Sequence, residues 1–355
     1  MKSFSFSSAF IIAEAGVNHN GSLELAFKLV DAAIEVGANA IKFQTFKTEK
    51  ILSKNVDKAT YQKESTEENE TQFEMIKKLE LSYSDFKKIK RYCEEKGIIF
   101  LSTPDEEESL DFLCDTIEVP YIKVGSGEVT NYPFLKYIAS KNKPVILSTG
   151  MSTIGEVEKA VNTMYSVNES LEIALLHCTT NYPTPYEEVN LRAMLTLKEA
   201  FKLPVGYSDH TLGIEVPVAA VALGANIIEK HLTLDKKLPG PDHKASMEPR
   251  EFKRMVEAIR NIEKAMGDGI KRPNNSEKEI EKVVRRRLAA TRHMEAGEVV
   301  KEKDIAIKRV SEGLLPEFFE VILGKKLRKE IEEGNGFTWN HFMEEWKKCI
   351  KERNL

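Results

Sequence analysis

The chain has no run of apolar residues long enough to cross a bilayer. Its most apolar stretch, Val216 to Ile228, is thirteen uncharged residues interrupted by Pro217 and Asn226, where a span needs roughly 20. No membrane association is expected. The N-terminal apolar run is cut off by Glu14 without a small-residue cleavage pattern, which argues against a secretory signal. Cysteine is scarce. Cys93, Cys114, Cys178 and Cys349 are widely separated and make no CxxC pair, so no thiol metal site or redox motif is expected, and they read as reduced thiols of a cytoplasmic protein. An excess of one charge is also missing, with 52 Lys+Arg against 56 Asp+Glu and a net charge of -4. That balance argues against a nucleic-acid partner but leaves room for a small anionic ligand held by a few local lysines. A hydrophobic content of 41% with 30% charged residues excludes disorder over most of the 355 residues, a length that suits two domains.

What the chain does have is a repeated alternation of apolar, β-rich runs and helical segments. The runs are Phe10–Gly16, Ala40–Phe46, Ile98–Pro104, Tyr121–Gly127, Pro144–Gly150, Ile173–Thr179, Pro204–Thr211 and Asn226–Thr233. Their starts lie about 31 residues apart, the pitch of βα units in a TIM (β/α)8 barrel. Between them, Ala26, Phe27, Val30, Ala33 and Ile34 make one helical face before Gly37, and Phe252, Met255, Val256, Ile259, Ile262 and Met266 make another. One connection is abnormally long. Lys47 to about Leu81, rich in Lys, Glu, Asn and Thr, reads as a lid over the barrel mouth. The expected organisation is a barrel over 1–267, a polar linker over 268–284, a small mostly-β domain over 285–342 with turns at Gly297, Gly313, Gly324 and Gly334, and a charged tail over 343–355 forming a terminal helix around Trp346.

Polar residues gather at the C-terminal ends of the strands, where barrel enzymes carry their chemistry. Glu14 closes the first, Lys42 and Gln44 the second, Lys123 the fourth and Ser148 the fifth. His177 and Thr179 end the sixth, Ser208 and His210 the seventh, Glu229 and His231 the eighth. One strand-end lysine can snorkel to water and one histidine can be a core residue, but the same accident at so many strands is improbable. His210 and His231 end consecutive strands, so their imidazoles can converge on one transition-metal ion with open positions left for substrate. Asp209 reads either as a support for that pair or as a turn residue. Lys123-Val-Gly-Ser126-Gly-Glu128 and Ser148-Thr149-Gly150 place glycine-flanked turns beside lysines, a setting for phosphate or carboxylate oxygens.

Taken together, Glu14-Ala-Gly-Val-Asn-His19-Asn-Gly21-Ser22, Lys42-Phe-Gln44-Thr, Lys123-Val-Gly-Ser-Gly-Glu128, Leu147-Ser-Thr-Gly-Met151, His177-Cys-Thr-Thr-Asn-Tyr182-Pro, Ser208-Asp-His210-Thr, Glu229-Lys-His231 and Gly240-Pro-Asp242-His243 resemble the sialic acid synthase family. Ala296-Gly-Glu298, Lys308-Arg309, Gly313-Leu-Leu-Pro316 and Gly324-Lys are similar to the SAF, or antifreeze-like, domain that follows the barrel in that family. The resemblance implies condensation of phosphoenolpyruvate with an N-acetylated amino sugar of the N-acetylmannosamine type, giving a nonulosonic acid and phosphate. It implies Mn²⁺, with Mg²⁺ or Co²⁺ as alternatives, on His210 and His231. It implies phosphoenolpyruvate on Lys42, Lys123, Ser126 and Ser148, and sugar or metal-bound water near Gln44, Tyr182 and Asp242. Glu14 and Glu128 would handle protons or hydroxyls, and Arg309 would reach the N-acetyl group from the partner in a domain-swapped homodimer. Thr180 stands where some members carry Asn at the anion pocket, and Val310 stands where many carry Pro. An alternative product is legionaminate or pseudaminate, from a 2,4-diacetamido-6-deoxy sugar. A non-catalytic sugar binder is the alternative of another class, against which the retained histidines and lysines argue.

Overall fold

The computed structural model describes residues 4–54, 56–58 and 70–342. Its contacts divide the chain into two compact units, Met1–Asp268 and Gly269–Leu355.

The first unit is the expected parallel barrel. Strands β1 (Phe10–Gly16), β2 (Ala40–Thr45), β3 (Ile99–Pro104), β4 (Ile122–Val124), β5 (Val145–Ser148), β6 (Ile173–Cys178), β7 (Val205–Asp209) and β8 (Ile227–His231) pair in the order β3-β2-β1-β8-β7-β6-β5-β4. β3 and β4 run alongside each other and close the ring. All eight expected strands form, trimmed at their ends. β4 is cut to three residues because the chain leaves the ladder at Gly125 and turns through a 3₁₀ helix at Ser126–Glu128.

Strands in such a barrel are buried on both faces. Inside, Phe10, Ile12, Ala40, Leu101, Ile146, Ala174, Leu176 and Ile227 pack into an apolar floor. Outside, residues such as Ile11, Ile41 and Phe43 pack against Leu29, Phe86, Phe252 and Ile259 of the surrounding helices. Each such side chain removed from water contributes roughly 1.5–3 kcal/mol. At Gly206 of β7 the interior leaves no room for a side chain, since a Cβ there would stand 2.3 Å from the Ile227 carbonyl oxygen and 2.7 Å from Leu176. The helices start and stop where the sequence signals them. Ser22 accepts from Leu25 N to cap Leu23–Glu35, Thr153 and Glu156 form a capping box for Ile154–Tyr165, and Gly97, at φ 78°, ends Tyr83–Lys96.

In the long connection after β2, helices cover Thr48–Ile51 and Gln72–Leu79. Leu79 packs with Val17 and Phe46 beside the barrel mouth. Residues 55 and 59–69 of the segment read as a lid lie outside the described residues. The stretch read as a polar linker differs from expectation, because Asn274 and Glu277 form a capping box and a helix runs over Asn275–Val284. Glycine and proline are confined to the residues before Asn274, so nothing breaks the helix beyond it.

The second unit holds the antiparallel pair β9 (Arg287–Ala290) and β10 (Ile305–Lys308). Isolated bridges Ala289–Gly336, Met294–Ile331 and Val299–Lys326 add to it. Its core is Leu288, Met294, Val300, Ile322, Leu327, Ile331 and Phe337. The terminal helix expected around Trp346 lies outside the described residues. Among the described residues, no helix is long and apolar enough to cross a membrane.

Candidate active site

Above the apolar floor the inward positions become charged. Glu14 and Lys42 are ladder neighbours on β1 and β2, and Ser208 and Glu229 on β7 and β8. Lys42 Nζ lies 2.9 Å from the Glu14 carboxylate and 3.8 Å from that of Glu229, and donates to Thr103 Oγ1 at 2.9 Å. Lys123 Nζ lies 3.5 Å from Glu229 and donates to Ser148 Oγ at 2.9 Å. Ser208 donates to Glu229 at 3.3 Å and Gln44 to Glu14 at 3.4 Å. These lysines and glutamates are buried, yet Glu229 Oε2 carries no hydrogen bond. Unsatisfied buried oxygens facing a cavity mark a place for a ligand.

The cavity is about 210 Å³, and Glu14, Lys42, Lys123, Ser126, His210 and His231 are among its lining residues. Gly150 N donates to Ser126 Oγ at 2.9 Å. A Cβ at Gly150 would meet Thr180 Oγ1 at 2.2 Å and Ser126 Oγ at 2.8 Å, so glycine makes room for both hydroxyls beside the cavity.

Burial decides the electrostatics. It pushes Glu14 up to about 7 against the pull of Lys42. It would raise Glu229 too, but Lys123 and Lys42 hold that carboxyl below its ordinary value. Lys42 is lifted despite burial by Glu14 and Glu229, whereas burial holds Lys123 below its usual range. A quartet of opposed charges with unequal proton affinities suits proton transfer beside a bound anion.

The histidines sit at the rim of this layer. His210 Nδ1 donates to the Thr179 carbonyl at 2.7 Å, which leaves Nε2 free as a ligand. His231 Nδ1 is buried without a hydrogen bond, 4.0 Å from Asp242 Oδ2. Burial, with His210 beside it, keeps His231 neutral. The ring centroids are 5.5 Å apart, with the Tyr182 ring 4.1 Å from His210 and 5.7 Å from His231. Burial pushes Asp242 up to about 6. Cys178 and the Thr179 carbonyl hold His210 above its ordinary value despite burial. Two imidazoles with a carboxyl group at hand fit a divalent ion, which competes with the proton on His210. A separate His293, Glu295 and Glu330 group in the second unit lies at the exposed surface.

The structure thus brings Glu14, Lys42, Gln44, Lys123, Ser126, Ser148, Thr180, Tyr182, His210 and His231 to one cavity. Asp242 approaches through His231. Glu128 does not line the cavity, and its carboxylate accepts from Asn131 at 2.7 Å. Arg309 lies in the second unit, exposed just after β10. On β6 the expected parity is reversed. Ala174, Leu176 and Cys178 face inward, whereas His177 donates outward to the Val189 carbonyl at 2.8 Å. Thr103, Asp105 and Cys178 line the cavity without having been singled out, and Ser208 and Glu229 prove central to it. Strand alternation applied to β3 would have found Thr103 and Asp105.

The NeuB family pattern matches residues 29–271, and the SAF domain pattern matches 285–343. The chain belongs to the NeuB family. It is 48% identical over 335 residues to N,N'-diacetyllegionaminic acid synthase of Legionella pneumophila, covering 94% of each protein. It is 49% identical to the Campylobacter jejuni protein of the same name, over 91% of this chain and 97% of that one. A solved N-acetylneuraminic acid synthetase from Leptospira borgpetersenii, in complex with citrate, superposes with a TM-score of 0.69 at 38% identity, over 77% of this chain and 90% of that one. This NeuB-family chain is a phosphoenolpyruvate-dependent condensing transferase that makes a nonulosonic acid.

Proposed function

We propose that the enzyme condenses phosphoenolpyruvate with the open-chain form of a 2,4-diacetamido-6-deoxy hexose, giving a legionaminate-type acid and phosphate. The observation that carries the chemistry is the Glu14–Lys42–Glu229–Lys123 quartet directly below the histidine pair. The choice of acceptor, over the N-acetylmannosamine type expected first, is supported by the 48–49% identity to the two diacetyllegionaminic acid synthases.

In this reading Lys42, Lys123, Ser126 and Ser148 hold the phosphate and carboxylate of phosphoenolpyruvate, with Gly150 making room for the Ser126 and Thr180 hydroxyls. The π electrons of the enol phosphate form the new bond from C3 to the sugar aldehyde carbon, whose oxygen takes up a proton from solvent. Glu14 and Glu229 stabilise the positive charge left at C2. Water adds there, Glu14 accepts one of its protons, and the C2–O bond to phosphate breaks with the electron pair leaving on phosphate, which takes the remaining hydroxyl proton as C2 becomes a ketone. His210 and His231, with Asp242 nearby, would hold a divalent ion, Mn²⁺ in this proposal, which supplies Lewis-acid polarisation of the sugar carbonyl when bound. Gln44 and Tyr182 orient the sugar, and Arg309 of a partner copy reaches its acetamido group.

The test is phosphate release from phosphoenolpyruvate with a panel of acceptors. A diacetamido-6-deoxy hexose should give the highest kcat/KM. Preference for N-acetylmannosamine would restore the sialic acid reading, and phosphate release with no sugar at all would overturn the condensation.

A further inference from the structure

Behind the two histidines lies an ion pair that the chemistry above leaves unused. Asp209 and Lys230 are direct ladder partners on β7 and β8. Asp209 immediately precedes His210, and Lys230 immediately precedes His231. Because side chains alternate along a strand, inward histidines send these two to the opposite face of the sheet. Both side chains are fully shut off from solvent. Lys230 Nζ lies 2.5 Å from Asp209 Oδ2 and also donates to the Thr211 carbonyl. Asp209 Oδ1 accepts from Thr211 N at 3.0 Å and from Thr211 Oγ1 at 2.8 Å. The residues on either side of His210 are therefore tied to the residue that precedes His231.

An ion pair buried this deeply is a poor source of stability, since apolar replacements of similar volume often serve as well or better. Its geometric effect is another matter. The β7 strand ends at Asp209, so His210 lies just past the regular ladder, where strand pairing no longer fixes its backbone. The Lys230–Asp209–Thr211 strap spans that point.

We infer that this strap sets the separation and tilt of the His210 and His231 rings, now 5.5 Å and 56°, and thereby the affinity of the pair for a divalent ion. Asp209, Thr211 and Lys230 are positioning residues and touch neither ion nor substrate. The inference rests on His210 and His231 being metal ligands.

The test is binding of Mn²⁺ alone, by titration calorimetry and by the Mn²⁺ paramagnetic resonance line shape, in the full chain. The double variant Asp209→Asn/Lys230→Met removes both charges, while the amide oxygen can still accept from Thr211 N. It should melt near the wild-type temperature, bind Mn²⁺ about 10–100-fold more weakly and give an altered line shape. A folded double variant with wild-type affinity and line shape overturns the inference. Thr211→Val, which removes only one donor, provides the reading if the double variant fails to fold. A loss of about threefold or more supports the strap, and an unchanged affinity overturns it. If wild type and His210→Ala bind Mn²⁺ alike, the metal reading itself fails and the strap falls with it.

Discussion

Lys42 Nζ stands 2.9 Å from the Glu14 carboxylate, with both side chains almost wholly buried. The proton affinity of Glu14 follows from this contact and from the burial that opposes it, and settles near 7. A base must be ionised to accept a proton, so kcat/KM should fall as pH drops below about 7. Glu14→Gln should lose about 10²–10⁴-fold in rate and flatten that acid limb. A variant with the same limb as wild type would assign the limb to another group. The pH–rate profile with saturating metal decides.

His210 and His231 lie at the functional face of the barrel, where residues serve chemistry more than packing. His210→Ala or His231→Ala should abolish stoichiometric Mn²⁺ binding and turnover while lowering stability by only about 1–2 kcal/mol. Metal analysis with thermal denaturation checks both halves. A large loss of stability with metal binding intact would make them core histidines.

Asp105 gives a stability prediction with a definite sign. Burial, reinforced by Glu128, raises its carboxyl from 3.8 to about 7. Between those values the folded chain holds a proton that the unfolded chain has released. Its stabilising contribution is therefore whole below pH 3.8 and drains away as pH rises through about 7. Asp105→Asn cannot ionise, so it should match wild type in acid and exceed it by about 1–2 kcal/mol at pH 8, allowing for partial exposure. Urea unfolding at pH 5 and pH 8 measures this. An advantage that fails to grow with pH would contradict it.

The proposed sharing of sites between two copies makes a complementation prediction. Arg309→Ala and His210→Ala should each be inactive. Refolded together, a crossed dimer unites one intact barrel with one intact arginine, restoring up to about a quarter of wild-type activity on random pairing. A verified heterodimer without activity would place Arg309 in its own chain's site or in none.

Much of this was legible in the sequence, because glycine, proline and polar strand ends punctuate the barrel at a regular pitch. The histidines, Lys42, Lys123 and Glu14 were visible as polar residues in otherwise apolar runs. The same signal failed on β6. In Ile173–Cys178 both faces are buried, so polarity does not encode direction, and the conspicuous His177 points away while Cys178 faces the cavity. Asp105 was hidden because it follows Pro104 at the edge of β3 and reads as a loop acid. The helix at Asn275–Val284 was obscured by the charge run that forms its exposed faces.

The charged quartet rests on a dry hydrocarbon floor, which has a consequence for how the cavity meets its guest. With every member ionised, Glu14 and Glu229 cancel Lys42 and Lys123. A phosphoenolpyruvate anion upsets that neutrality, and no counterion can reach it from below. Compensation must come through the mouth, as a cation at the histidine pair above or as protons from solvent. Capture of the anion and uptake of positive charge are then a single event, and the charge the cavity carries is set by whatever it holds.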